Sequence, residues 1–236
     1  MLQPPVLKID NQEIDNVKTF NYLGIVINSN LTWKDHIQYI GTKIAKTTAI
    51  MTKLKHFLPE SALFNIYSSL IHCHFTYGVL VWGSHVGQLV RLQKKAIRIV
   101  CGAARAAHTE PMFKRLNVLK VSDIRHLHEL KFYYNIVKES VPSYFLSEFI
   151  IHCDINHEYL TRFGTRLLYP RFRHEYFRSC LRYSICKTIN STEETTIQMI
   201  YTHSLNGFKQ HIKRYIISQY QTNCLRLNCF ACNSAV

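Results

Sequence analysis

The chain has 236 residues, of which 47% are hydrophobic. That is long enough to bury a sizeable core and too apolar for a disordered tail. A formal charge of +14 points to a polyanionic partner, nucleic acid or an anionic membrane surface, with ordinary solubility charge as the plain alternative.

The first elements are short strands. Val6 to Ile9 leads into the turn signal Asp10-Asn11, Glu13-Ile14 returns, and Phe20 to Ile27 is an aromatic and β-branched strand around Gly24. Such an antiparallel patch is marginal alone and needs something packed against it. Asn28-Ser29-Asn30 ends the strand, and Thr32-Trp33-Lys34-Asp35 fits a capping box. The helix that it opens carries Trp33, Ile37, Ile40, Ile44, Thr47, Met51 and Leu54 inward, with Lys34, Lys43, Lys46, Lys53 and Lys55 off the stripe. It is expected to stop before Pro59.

From Ser61 to Val90 there is no Lys, Arg, Asp or Glu. A membrane span is not expected, because Asn65, Ser68, Ser69, His72 and His74 fall in the run and Gly78 and Gly83 interrupt it. Leu63, Ile66, Tyr67, Leu70 and Ile71 instead mark a helix buried on one face. A third helix spans roughly Gly87 to Ala104 with Leu89, Leu92, Ala96, Ile97 and Val100 inward. A short helix from Pro111 to Leu116 comes next. Ser122 is expected to cap a long one running to about Glu139, with Leu127, Leu130, Tyr134 and Val137 inward. Composition changes near residue 150, and the pattern leaves Asn156 to Lys187 without an assignment. A last amphipathic helix runs from Ser204 to Tyr220 with Leu205, Phe208, Ile212 and Ile216 on one side. The fold class is mainly α, a helical bundle behind a small antiparallel β patch.

Three features could carry chemistry. On the third helix Arg91, Lys94, Lys95 and Arg98 share one face. Such a face suits a polyanion, whose phosphates would offset the mutual repulsion, or it is simply solvated. Between Tyr159 and Tyr183, Arg162, Arg166, Arg171, Arg173, Arg178 and Arg182 interleave with seven aromatic residues. That pattern suits unpaired bases and phosphates, or a core ringed by snorkelling arginines. Cys224, Cys229 and Cys232 offer three thiolates where a structural zinc site wants four ligands, so zinc and a loose tail both stay open. The other cysteines, Cys73, Cys101, Cys153, Cys180 and Cys186, follow a Met1 with no apolar leader behind it, and an intracellular, reducing location is expected. The chain has no glycine-rich phosphate loop and no GxSxG, and its five aspartates, Asp10, Asp15, Asp35, Asp123 and Asp154, are dispersed. Two-metal nucleotidyl transfer needs converging carboxylates, so no enzyme and no cofactor are expected of these residues by themselves.

Val17 to Ile25, with its FNYLG core, followed by LTWKDHI at Leu31 to Ile37, resembles the reverse transcriptases of LINE-type, non-LTR retrotransposons, jockey-like elements most. The similarity continues in order through KLKHFLP at 53–59, IYSSLI at 66–71, Tyr77-Gly78 to Val81-Trp82-Gly83, and LQKKAIR at 92–98. It then includes HTEPMF at 108–113 and LNVL at 116–119, and it is specific from Val17 to Phe145. His157 to Arg162 echoes a further string of that family, whose G-P-x-x-W-N segment is replaced here by Ser184 to Asn190.

The resemblance implies residual palm-edge strands over 1–30, a helical thumb-like domain over 31–150 and an Arg/aromatic-rich C-terminal segment over 151–236. It places Phe20 to Ile25 close to a primer terminus and lets Arg91, Lys94, Lys95 and Arg98 grip a template–primer duplex. The aspartate motifs of the polymerase would lie before Met1. The expectation is therefore a truncated C-terminal portion of a reverse transcriptase with non-specific affinity for RNA or an RNA–DNA hybrid. The rivals are a degenerate mobile-element fragment without activity and a helical module docking a protein, such as a reverse-transcriptase palm supplied in trans.

Overall fold

The computed structural model describes residues 7–149 and 166–221. Arg162, His157 and the cysteines Cys153, Cys224, Cys229 and Cys232 lie outside them. Two hairpins open the chain. Strand β1 (Lys8–Ile9) pairs with β2 (Gln12–Glu13) across Asp10 and Asn11, whose φ angles of 48° and 61° are what a two-residue hairpin turn requires. The expected single strand from Phe20 to Ile27 is instead a second hairpin, β3 (Thr19–Tyr22) against β4 (Ile25–Asn28). Leu23 and Gly24 take φ of 47° and 79° and reverse the chain between Tyr22 and Ile25. Strand β4 is half-buried on the helical body, whereas β3 is exposed along its whole length.

The capping box does not form at the start of α1 (Lys34–Leu54). Asn28 takes both of its groups: its amide donates to Thr32 Oγ1 at 2.7 Å and Asp35 Oδ2 at 2.9 Å, and its carbonyl accepts the Thr32 N–H at 2.9 Å. Trp33 occupies the cap position in the left-handed region, φ 60°. Ile37, Ile40, Ile44 and Met51 are buried as expected, but Thr48 is buried where Thr47 was expected. The Thr48 hydroxyl donates to the Ile44 carbonyl at 2.7 Å, so it enters the core satisfied.

Helix α2 (Glu60–Tyr67) widens into a π-helical turn at Ser68–His72 before α3 (Cys73–Thr76) and α4 (Val79–Trp82). The buried side chains Leu63, Tyr67, Ile71, Phe75 and Val79 recur every four residues. An α-helix turns in about 3.6 residues and would drift off that step; the wider turn restores register. The same shift leaves Leu70, expected inside, 52% exposed. His72 lies in the π-helical turn and His74 in α3, the last turn of this helical run. Gly78, φ 62°, closes it, and a Cβ there would stand 2.8 Å from Ile25 Cδ1, so β4 reaches the bundle through glycine. Trp82 is fully buried and donates its indole N–H to the Tyr77 carbonyl at 2.9 Å.

Helices α5 (Gly87–Val100) and α6 (Glu110–Arg115) precede α7 (Val121–Val137), which starts one residue before Ser122 with extended Lys120 at its cap position. Helix α7 is buried on several sides, with Ile124, Leu127, Leu130, Tyr133, Tyr134 and Ile136 all inside. It touches α3, α4, α5, α8 (Leu181–Ser191) and α10 (Leu205–Ser218). Helices α8 and α9 (Glu194–Thr202) were not apparent in the pattern. Helix α10 begins next to Ser204, where its start was expected, and Ser204 caps it by accepting from the Gly207 N–H at 3.3 Å. Phe208 and Ile212 are buried, and Ile217 joins them ahead of Ile216. The architecture is mainly helical behind two small antiparallel hairpins. No helix among the described residues is long and apolar enough to cross a membrane.

Candidate nucleic-acid interface

Helix α5 buries Leu89, Ala96, Ile97 and Val100 against α1, α2 and α7, which leaves Arg91 and Lys95 exposed. Neither pairs with a carboxylate among the described residues. The other two cations of the face are placed differently. Lys94 is half-buried near Glu110 of α6. The Glu110 carboxyl is held below its usual range chiefly by its hydrogen bond from Lys120, with the Gln221 amide and the Lys94 charge adding to it. Arg98 is half-buried and donates its Nε–H to the Ala107 carbonyl at 2.8 Å, so it ties the following loop to the helix. Burial lowers its pKa. The exposed edge of the face is therefore Arg91 and Lys95, with Lys94 behind.

The orientation of that face is set by Gln93, which is fully buried. Its amide donates to Tyr67 Oη at 3.0 Å and the Leu119 carbonyl at 2.9 Å and accepts the Val121 N–H at 2.8 Å. One side chain thus joins α5 to α2 and to the start of α7. Its position between Leu89 and Ile97, four residues from each, is on the apolar stripe; that spacing was the available signal.

A second surface lies where β4 meets the bundle. A cleft of about 670 Å³ opens between the Leu23-Gly24 turn, α1 and α3, lined by Gly24, His36, Tyr39, Lys43, His74 and Tyr77 among others. Tyr77 donates its hydroxyl to the Leu23 carbonyl at 2.5 Å, and the Val26 N–H donates to His36 Nδ1 at 3.2 Å. These two bonds dock the hairpin. Burial lowers the pKa of His36, whose ring stands edge-on to Trp82 at 5.6 Å. The Lys43 ammonium sits 4.3 Å from the centre of the Tyr39 ring. Positive charge and exposed aromatic surface thus coincide beside the FNYLG turn.

The Arg/aromatic segment is described from Arg166, itself exposed, onward. Its rings pack on one another: Phe172 stacks on Phe177 at 5.3 Å, and Tyr183 meets Tyr169 at 5.3 Å and Phe172 at 6.1 Å. Tyr169 and Phe177 remain more than 40% exposed beside the exposed Arg171 and Arg173. Among the described residues no three His, Cys, Asp or Glu side chains converge as metal ligands.

The chain carries a region related to the reverse transcriptases of LINE-type mobile elements. The RNA-directed DNA polymerase from mobile element jockey of Drosophila melanogaster is 28% identical over 127 residues, covering 50% of this chain and 14% of that protein. A probable RNA-directed DNA polymerase from transposon X-element of the same species is 23% identical over 138 residues, covering 55% of this chain and 15% of that protein. The chain therefore spans only a small part of the curated relatives' length. No protein-family model matches it, and no solved structure does.

Proposed function

We propose that this chain binds template–primer nucleic acid without sequence preference and does not polymerise by itself. The observation that carries this reading is the exposed pair Arg91 and Lys95 on α5, without carboxylate partners among the described residues, in a chain related to two RNA-directed DNA polymerases. A duplex of A-like form is held through its backbone and shape, which a row of simple positive charges suits. Lys94 joins the pair by moving away from Glu110, and the cleft beside Gly24 takes the strand end. The dispersed aspartates supply no metal pair, so the reading calls for no cofactor, and it places the chain inside the cell.

Binding of a labelled RNA–DNA hybrid across a salt series tests this, comparing the chain with R91Q/K94Q/K95Q. Arg98 is left in place because it supports the Ala107 carbonyl. Each lost phosphate contact shallows the log–log salt slope by about 0.9, so the triple variant should lose roughly 2 to 3 in slope. An unchanged slope, or nucleotide incorporation on a primed template by the purified chain, would overturn the reading.

A second reading rests on the exposed face of β3, where Phe20 and Tyr22 are each 58% exposed and Leu23 is 73% exposed. In it, the hairpin docks a β-sheet of a palm supplied by another polypeptide. Co-purification with a reverse-transcriptase palm fragment, lost when Phe20 and Tyr22 are replaced, would establish it.

A further inference from the structure

Away from α5, a pocket of about 320 Å³ lies between the π-helical turn, α7 and α10. Ser68 and His72 enter from the π-helical turn, His128 from α7, Lys209 and Lys213 from α10, and Asn117 from the loop before α7. No carboxylate among the described residues lines the pocket. Among the described residues the side-chain nitrogens of His72, His128, Lys209 and Lys213 have no carboxylate or other hydrogen-bond acceptor. The His72 ring stands edge-on to Tyr67, 6.2 Å between centres. Four groups able to carry positive charge therefore converge from three elements and repel one another.

We propose that this pocket is an oxyanion site that takes a phosphate group, free or as the terminal phosphate monoester of a nucleic-acid strand. Nitrogen donors approaching from three separate elements match a tetrahedral dianion better than a flat carboxylate, which offers two oxygens in one plane. The π-helical turn sets the register in which His72 reaches the pocket while Ile71 stays in the core, a use to which such turns are often put. The groups of the pocket act on one another as such a site requires. His72 is held below its ordinary pKa by burial and then by the charges of Lys213 and Lys209; His128 by burial, then Lys131, Lys209 and His72; Lys213 by burial, then Lys209. A dianion would reverse these effects and recruit both imidazoles as donors. This inference rests on no property of α5.

The full-length chain is titrated with inorganic phosphate near neutral pH against a chloride background, following the histidine ring protons by NMR. Phosphate should move His72 and His128 together and raise both pKa values. None of the pocket's described polar side chains is a carboxylate that would need a protonated ligand, so sulfate should bind comparably, and its constant charge makes it the probe for pH. Sulfate binding should tighten roughly tenfold between about pH 7.5 and about pH 6, as both imidazoles acquire protons. K209Q/K213Q should weaken binding at least about tenfold yet unfold no more easily than the parent chain without anion, because it removes repulsion. The single change Lys209→Gln, at an exposed position, gives an intermediate loss and guards against misfolding of the double variant.

An oligonucleotide with a 5′-phosphate that outcompetes its 5′-hydroxyl counterpart for the same two histidines identifies the strand end as the source. Equal behaviour of the two oligonucleotides, with inorganic phosphate still binding, identifies free phosphate. Histidine resonances unmoved by phosphate and sulfate, or unchanged affinity in K209Q/K213Q, overturn the proposal. Loss of hybrid binding in the α5 variant, with phosphate binding intact, would leave it standing.

Discussion

Gln93 shows how one residue can hold a surface it does not belong to. Its three hydrogen bonds satisfy the Tyr67 hydroxyl, the Leu119 carbonyl and the Val121 amide, all inside the body. Each buried polar group stripped of its partner costs about 1–3 kcal/mol, so Gln93→Ala should lower the unfolding free energy by about 3 kcal/mol. Urea denaturation reads this directly; a loss below about 1 kcal/mol would mean that water replaces the amide at little cost. Arg125 and Glu129 form a second buried device, with Nε to Oε1 at 2.7 Å, and they reach α8 through Ser184 and Thr188. Gly83 makes room for it, since a Cβ there would lie 3.2 Å from Arg125 Cδ. The four-residue spacing of Arg125 and Glu129 was visible in the sequence. Their burial was not, because it depends on a helix 59 residues away along the chain.

Among the elements, the sequence was most legible where one face alone is buried. The inner stripes of α1 and α5 and the start of α10 near Ser204 follow from periodicity. The departures each have a local cause. Leu70 moved outward because the four-residue step needs a π-helical turn, and the box of Thr32 and Asp35 failed because Asn28 binds both groups. The Phe20 to Ile27 run divides because Leu23 joins Gly24 in the left-handed region, an uncommon choice for leucine.

Among the described residues the resulting β3 pairs with β4 alone, so its other edge is open and it carries exposed rings, the kind of surface on which chains associate. Replacing Phe20 and Tyr22 by threonine keeps strand propensity. It should therefore reduce self-association in sedimentation velocity while changing the unfolding free energy by only about 0.5 kcal/mol. A loss of several kcal/mol would instead show that the rings pack in solution.

At the scale of the whole molecule, the C-terminal helices are fastened to the preceding helices at many points. Tyr134 donates to the His203 carbonyl at 2.8 Å, and Lys114 reaches the Ser218 and Tyr220 carbonyls at 3.3 and 3.1 Å. Tyr220 accepts the Lys120 amide at 3.0 Å, donates to Asp123 and sits edge-on to Phe113. Burial, with the hydrogen bond to the Asp123 carboxylate behind it, pushes the Tyr220 hydroxyl far above its ordinary pKa. Phe208, Ile212 and Ile185 share one hydrophobic cluster with Ile44, Phe75 and Trp82.

A chain built this way should unfold as one unit, whereas a degenerate fragment would melt gradually. Fluorescence from Trp33 and Trp82, at the α1 and α4 end, and a label on α10 should therefore report the same midpoint. Tyr220→Phe keeps the ring but leaves the Lys120 amide and Asp123 without their partner, a loss of about 1–3 kcal/mol. Because the core is shared, that loss should shift both probes equally, though the substitution touches only one end. Separate transitions, or a shift confined to the α10 label, would mean that the C-terminal helices fold apart from the body. The anion pocket between α7 and α10 would then be assembled only when the two parts dock.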